Sequence, residues 1–349
     1  MIRLLLFPFS FLFGILTFVR NKLYDWKCIP SVQYDDIYVI SVGNITVGGT
    51  GKTPFVEYLI RTFSQNYRVA VLSRGYMRKT KGFQFVNSNV SPSGAGDEPY
   101  QIKRKFPEIV VAVDADRVRG ITQIRKNFPD IQVILLDDAF QYRKIRPNLS
   151  ILLADYNRPL YRDSMLPGGR LREWACFAKR ADVMVITKSP AGITSEERQD
   201  MERKYARFFR RELLFAAVGY GEPQPVFPIG ASLPTDELKQ HNVLLVTGIA
   251  NPQPFENYIR QHAASVQAMI FPDHHAFSEK DITLITKKWN DIPSVHKILL
   301  TTEKDAVRLQ QTKIAEAVAR YSYYVPILVT ISSGNIDIYT RYAGKNRLN

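Results

Sequence analysis

The stretch that most narrows what this chain can become is Ser41-Val-Gly-Asn-Ile-Thr-Val-Gly-Gly-Thr-Gly-Lys-Thr-Pro54. An apolar, β-branched run (Ile37, Tyr38, Val39, Ile40, Val42) feeds a glycine-rich turn. Gly51-Lys52-Thr53 then opens a segment in which Val56, Leu59, Ile60 and Phe63 recur at helical spacing. Strand, glycine loop and helix in that order form the context of a phosphate-binding loop. Backbone N–H groups of such a loop close around a polyphosphate, and the helix N-terminus adds positive potential. Lys52 is then placed for the β- and γ-phosphates and the Thr53 hydroxyl for Mg²⁺, with Gly48, Gly49, Thr50, Gly51 and Pro54 completing an ATP cradle. The strict G-x-x-x-x-G-K-[ST] form has glycine at position 46; this chain has Thr46 there, with extra glycines at 43, 48 and 49.

Further apolar strands are expected at 68–73, 109–113, 133–136, 149–153 and 183–186, several with helical segments between them. Near-continuous apolar strands of this kind belong to a parallel sheet covered by helices on both faces. Ligands in such folds bind beyond the carboxyl ends of the strands, so the residues that follow each strand matter most. After Val133-Ile-Leu-Leu136 comes Asp137-Asp138, the arrangement of an acidic Mg²⁺ holder. Asp97 reads as the N-cap of a short helix behind Gly94-Ala-Gly96. Asp114 to Arg119 reads as a solvated helix start. Leu166-Pro-Gly-Gly-Arg-Leu-Arg-Glu173 is either a phosphate clamp through Arg170 or Arg172, or a surface loop. Thr187-Lys-Ser-Pro190 lacks the acidic residue of a guanine-binding motif, and 196–211 reads as a charged, solvated helix.

Tyr220 to Pro228 is rich in Pro and Gly and reads as a linker. A second βα series follows, with strands at 243–246, 266–270 and 298–300. Its loops carry Phe271-Pro-Asp-His274-His275, and Ser278 with Asp281 makes a capping-box start. The expected organisation is an N-terminal segment over 1–27, a P-loop domain over 28–220 and a smaller α/β domain over 221–349.

Leu4 to Val19 is almost wholly apolar between Arg3 and Arg20. As a helix it reaches about 24 Å, short of the ~30 Å hydrocarbon core. Ser10, Gly14 and Thr17 form a less greasy stripe that Arg3 and Asn21 extend, and Arg20, Lys22 and Lys27 follow. The pattern is that of a helix lying in a membrane interface, with a short tilted anchor as the alternative. No small-x-small cleavage site precedes Asn21, which argues against a signal peptide. Lys and Arg exceed Asp and Glu by 47 − 33 = 14, a surplus that favours anionic partners such as a membrane surface. No recognition motif accompanies that charge, so nucleic acid is not expected. The two cysteines are too few for a disulfide framework.

Together these pieces resemble the tetraacyldisaccharide 4′-kinases, the lipid A 4′-kinase family of Gram-negative bacteria. The resemblance rests on Val42-Gly-Asn44, Gly48–Pro54, Leu72-Ser-Arg-Gly-Tyr76, Gly96-Asp-Glu-Pro99, Asp116-Arg117, Leu136-Asp-Asp-Ala-Phe-Gln141, Leu166–Glu173, Thr247–Pro252, Phe271–His274 and Leu300–Val307, in that order along the chain. It implies a kinase that uses ATP and Mg²⁺ to phosphorylate the 4′-hydroxyl of a tetraacyldisaccharide 1-phosphate at the cytoplasmic face of the inner membrane, with no obligate protein partner. Asp97 would be the general base, paired with His274, with Arg172 and Glu173 as active-site participants, Asp137 and Asp138 serving Mg²⁺, and the second domain closing over the cleft. The family usually has histidine where this chain has Tyr142, and glycine where it has Ala139. A membrane-associated deviant-Walker ATPase switch is the rival, but its second lysine would fall at Val47.

Overall fold

The computed structural model describes residues 2–87, 90–230, 233–273 and 275–332, with the side chains of residues 2–5 left aside. The chain divides into two compact units, Met1–Val218 together with the segment that starts at Val329, and Gly219–Leu328 between them.

The first unit begins with helix α1 (Ile2–Asp25), which continues past the apolar run through Arg20 and Lys22 and contains Pro8. Strand β1 (Tyr38–Gly43) leads into α2 (Lys52–Phe63), followed by β2 (Val69–Ser73), the short β3 (Gln84–Phe85), α3 (Pro92–Ala95), α4 (Asp97–Lys105), β4 (Val110–Val113), α5 (Arg117–Asn127), β5 (Val133–Asp137), β6 (Leu149–Asp155), β7 (Val183–Ser189), α6 (Ser195–Tyr205) and β8 (Glu212–Tyr220). The last strand among the described residues, Ile327–Ile331, lies beside β8, so the sheet runs, from that edge, β8-β7-β6-β1-β5-β2-β4-β3. Its central pairs are parallel: β1 with both β5 and β6, β2 with β4 and β5, and β6 with β7.

Every residue of β1, β5 and β6 is buried, which is why these strands read as unbroken apolar runs. Alternate side chains go to opposite faces. Tyr38, Ile40 and Val42 pack with Phe55, Leu59 and Ile60 of α2 and Ile102 of α4. Val39, Ala70, Leu72 and Leu136 pack with Ile121 and Ile124 of α5. The charged helix stops at Tyr205 rather than near 211, because Leu213 to Val218 enter the sheet as β8 and Thr194 fixes the start with a capping box.

The second unit contains β9 (Gln224–Pro225), β10 (Asn242–Thr247), α7 (Gln253–His262), β11 (Ser265–Ile270), α8 (Glu279–Asn290), β12 (Lys297–Thr302), α9 (Glu303–Leu309), α10 (Glu316–Ala319) and β13 (Ser322–Val325), ahead of β14 (Ile327–Ile331). Its sheet has the order β11-β10-β12-β13-β9 and is parallel except for β9. The Pro/Gly-rich stretch from Tyr220 therefore carries a strand of that sheet. One face is covered by Ile282, Ile285 and Trp289 of α8, the other by Phe255 and Ile259 of α7. Asp305 is fully buried and accepts from the Thr247 and Thr302 hydroxyls and the Gly248 N–H, tying β10 to β12 beneath their loops.

Candidate active site

The carboxyl ends of β1 and β5 lie side by side in the middle of the sheet, so the loop after β1 starts beside the acidic pair that closes β5. Gly48 and Gly51 have φ of +105° and +78°, values that a side chain disfavours. Gly51 is also the N-cap of α2, and no side chain caps that helix, so its N-terminal amides and dipole are directed at the loop. Thr46 forms a β-bridge with Leu171, an extended conformation that suits a β-branched residue and removes the need for glycine there. Pro54 brings no N–H to the cradle and contributes its fixed backbone shape. A shallow concavity borders Thr46–Thr50 together with Asp155, Arg158 and Arg170.

Lys52 Nζ lies 3.7 Å from Asp138 Oδ1. Arg172 reaches the same carboxylate, with Nη2 at 3.0 Å from Oδ1 and Nη1 at 3.3 Å from Oδ2. Arg172 Nη2 also donates to the Asn44 main-chain oxygen at 2.9 Å and to its side-chain oxygen. Asn44, itself fully buried, donates to Thr50 Oγ1 at 2.6 Å. Burial raises the Asp138 carboxyl, but Lys52 and Arg172 outweigh it and the net direction is down. Asp138 is therefore an anion paired with two cations beside the phosphate loop.

Asp137 is different. It is 5% exposed and accepts from Ser73 Oγ at 3.1 Å, while its Oδ1 has no hydrogen-bond partner. Burial, and then the neighbouring Asp138 charge, push its carboxyl up to about 6. A buried carboxylate oxygen without a donor suits a divalent cation. Thr53, buried in the first turn of α2, supplies a hydroxyl at the same edge of the sheet. Among the described residues no cluster of three or more His, Cys, Asp or Glu could hold a metal alone.

Gly96, at φ +95°, is the N-cap of α4, so Asp97 sits in the first turn of that helix rather than capping it. Glu98 beside it is close enough to help raise the Asp137 carboxyl, which puts this turn at the same end of the sheet. The helix is held there by Glu57 of α2, 1% exposed, which accepts from Gln101 Nε2 at 2.8 Å and Lys105 Nζ at 2.6 Å. Glu173 points elsewhere: it is 1% exposed and its Oε2 accepts from Asn21 of α1 at 3.0 Å and from Arg180 at 2.5 Å. Burial outweighs their attraction for both members of the pair, raising Glu173 and lowering Arg180 to about 10. His274 lies outside the described residues. Its neighbour His275 bonds Asp281 at 3.0 Å and stacks on Phe271.

Several contributors carry no strong signal in the sequence. Lys188, in the stretch weighed only as a guanine motif, donates to the Gly49 carbonyl at 2.5 Å and to Asp155 at 2.6 Å, while Thr187 donates to the Thr50 carbonyl at 2.9 Å. Arg117 is 3% exposed rather than solvated, with its charge near Asp137 and Asp138. Tyr142, at the family's histidine position, lies under the Arg117 guanidinium at 5.2 Å. Its hydroxyl accepts the Arg117 N–H and donates to Asp116 at 2.9 Å.

A family model for tetraacyldisaccharide-1-P 4′-kinase matches residues 2–339. A tetraacyldisaccharide 4′-kinase of Phocaeicola vulgatus is 40% identical over 352 residues, covering 99% of this chain and 96% of its own. One from Parabacteroides distasonis is 48% identical over 314 residues, covering 88% and 84%. The crystal structure of LpxK from Aquifex aeolicus in complex with ATP superposes with a TM-score of 0.78 at 30% identity, over 99% of both chains.

Proposed function

The chain belongs to the tetraacyldisaccharide-1-P 4′-kinase family and is a kinase of lipid A biosynthesis; on that premise we propose how its own residues carry the transfer. The substrate is a tetraacylated glucosamine disaccharide 1-phosphate, the donor is ATP, and the product is the 4′-phosphate, lipid IVA. The observation that carries this reading is the Lys52–Asp138–Arg172 arrangement against the phosphate loop.

In the proposed reaction the loop from Gly48 to Thr53 holds the ATP phosphates, and Lys52 neutralises the β- and γ-oxygens. Arg172, already directed by Asp138 and Asn44, stabilises charge that builds on the transferring group. Asp97 accepts the proton of the 4′-hydroxyl as its oxygen bonds to the γ-phosphorus and the bond to the ADP oxygen breaks. Mg²⁺, held by Asp137, Asp138 and Thr53, would offset phosphate charge when bound. Most of the catalytic gain in phosphoryl transfer comes from positioning, which is what Glu57 supplies to the Asp97 helix.

An acylated acceptor stays in the bilayer, so the enzyme works at a membrane, in this reading the cytoplasmic face of the inner membrane. Support comes from α1. Among the described residues, Leu6–Asp25 is a helix long and apolar enough to cross a membrane by length and composition, with a mean hydropathy of 1.2. Phe7, Phe9, Phe11, Leu12 and Leu16 are all more than half exposed, and the stripe at Ser10, Gly14 and Asn21 is the face that is buried. The outward faces are therefore the apolar ones, which suits a helix seated in lipid. Phosphorus NMR of the reaction product tests the proposal: a new monoester at the 4′ position is expected, and a phosphate at any other position, or ADP with no new ester, would refute it.

A further inference from the structure

We propose that α1 is also a positioning element for the phosphate site, acting through Asn21 and the segment 164–174 that carries Arg172; the inference rests on the kinase reading above. That segment is bonded on two sides. Toward the phosphate loop, the Arg172 N–H donates to the Ile45 carbonyl at 2.7 Å and the Val47 N–H to the Arg170 carbonyl at 2.8 Å. Toward α1, the Gly168 N–H donates to Ser10 Oγ at 2.9 Å, Trp174 Nε1 to the Gly14 carbonyl at 2.9 Å, and Asn21 Nδ2 to Glu173 Oε2 at 3.0 Å. Ser10, Gly14 and Asn21 fall on one stripe of the helix, so the three bonds seat a single face.

The seat is tight and polar. A Cβ on Gly14 would come within 2.5 Å of the Trp174 ring. Asn21 is fully buried; its Oδ1 accepts from Arg180 at 2.8 Å, and its main-chain oxygen accepts from Arg143, which in turn pairs with Asp25 at 2.9 Å. Holding a bilayer needs only the outward faces of the helix. A buried charged seat is costly to desolvate, and its best-attested use is to fix one register. Here the register it fixes is that of Glu173, and therefore of Arg172, one residue away, whose guanidinium sits on Asp138 and Asn44. Asn21 is thus a positioning residue: the seated helix sets where Arg172 meets the transferring phosphate.

The test compares the full chain with its Asn21→Ala and Gly14→Ala variants on ATP and a tetraacyldisaccharide 1-phosphate in mixed micelles. Co-sedimentation with phosphatidylethanolamine–phosphatidylglycerol vesicles and thermal melting are followed in parallel. Both variants keep the outward apolar faces, so vesicle binding is expected to be unchanged. The kcat is expected to fall about tenfold or more, since displacement of a positioned group by ~1 Å costs on that scale, while KM for ATP stays within about twofold. Asn21→Ala added to Arg172→Lys should lower kcat no further than Arg172→Lys alone. Unchanged kcat, a loss of activity that tracks loss of vesicle binding, or fully additive effects with Arg172→Lys would each overturn the coupling. Should Asn21→Ala melt below the assay temperature, Gly14→Ala, which removes no polar group, decides the matter. A wild-type chain that labels no lipid would refute the kinase reading instead, and the coupling would then be read from the same variants' rates of ATP hydrolysis.

Discussion

Replacing Asp137 by Asn should make the metal-free protein more stable at neutral pH while weakening its response to Mg²⁺. The Asp137 carboxyl is buried with one oxygen unpartnered and titrates near 6, against an ordinary 3.8. That difference of about two pH units corresponds to roughly 3 kcal/mol. Below about pH 4 the group is neutral in both folded and unfolded chains and costs nothing. Between about pH 4 and 6 only the unfolded chain ionises it, so stability falls as pH rises, and above the folded value the whole penalty is in place. An Asn at 137 escapes the penalty, less some loss at the Ser73 hydrogen bond, for a net gain of about 2–3 kcal/mol at pH 7.5. For a unit of this size that is roughly 5–10 °C in Tm. The assay is circular-dichroism melting in chelator at pH 7.5 and pH 4.5, then at pH 7.5 with Mg²⁺ and ADP. The gain should be large at pH 7.5 and shrink at pH 4.5, and Mg²⁺ should raise the Tm of the wild type more than that of Asp137→Asn. A variant less stable than wild type at pH 7.5, or an equal gap at both pH values, would refute the reasoning.

Other expectations concern the groups around this carboxylate. Glu57→Ala strands Gln101 and Lys105 around a buried position and should cost roughly 2–4 kcal/mol in urea unfolding, with kcat falling as α4 loosens; an unchanged midpoint contradicts it. Lys188→Ala frees the Gly49 carbonyl and should weaken ATP binding by about tenfold in isothermal titration, and unchanged affinity would show that Lys188 does not preorganise the loop. His274→Ala is expected to bind ATP normally and lose most turnover; near-normal kcat would remove His274 from the mechanism.

How much of this was legible in the sequence depended on range. Lys52 follows the buried strand β1 and Asp138 the buried strand β5, and a parallel sheet brings the residues after adjacent strands together, so the closeness of these two followed from local pattern alone. Thr46 looked like a defect in the motif because the pattern does not reveal that Leu171 would pair with it as a strand. The stripe at Ser10, Gly14 and Asn21 was visible, but not that it faces protein: Asn21 meets Glu173 across 152 residues. Glu173 accordingly contributes first by holding α1. Tyr142 shows a similar limit, since its hydroxyl bridges Arg117 and Asp116 in a way no spacing rule announces. Asp97 was one position off as a cap, because Gly96 takes the left-handed geometry that the turn requires.

In the proposed reaction Asp97 takes the proton as the γ-phosphoryl group moves from ATP to the lipid hydroxyl. The most direct measurement is transfer from γ-labelled ATP to detergent-solubilised tetraacyldisaccharide 1-phosphate by wild type and Asp97→Ala, with ATP affinity measured on both. Label is expected in the lipid for the wild type, and unaltered ATP affinity with a rate lower by at least about a hundredfold in the variant. Transfer by Asp97→Ala at a rate close to wild type would contradict it and leave Asp97 a first-turn helix residue with no part in the chemistry.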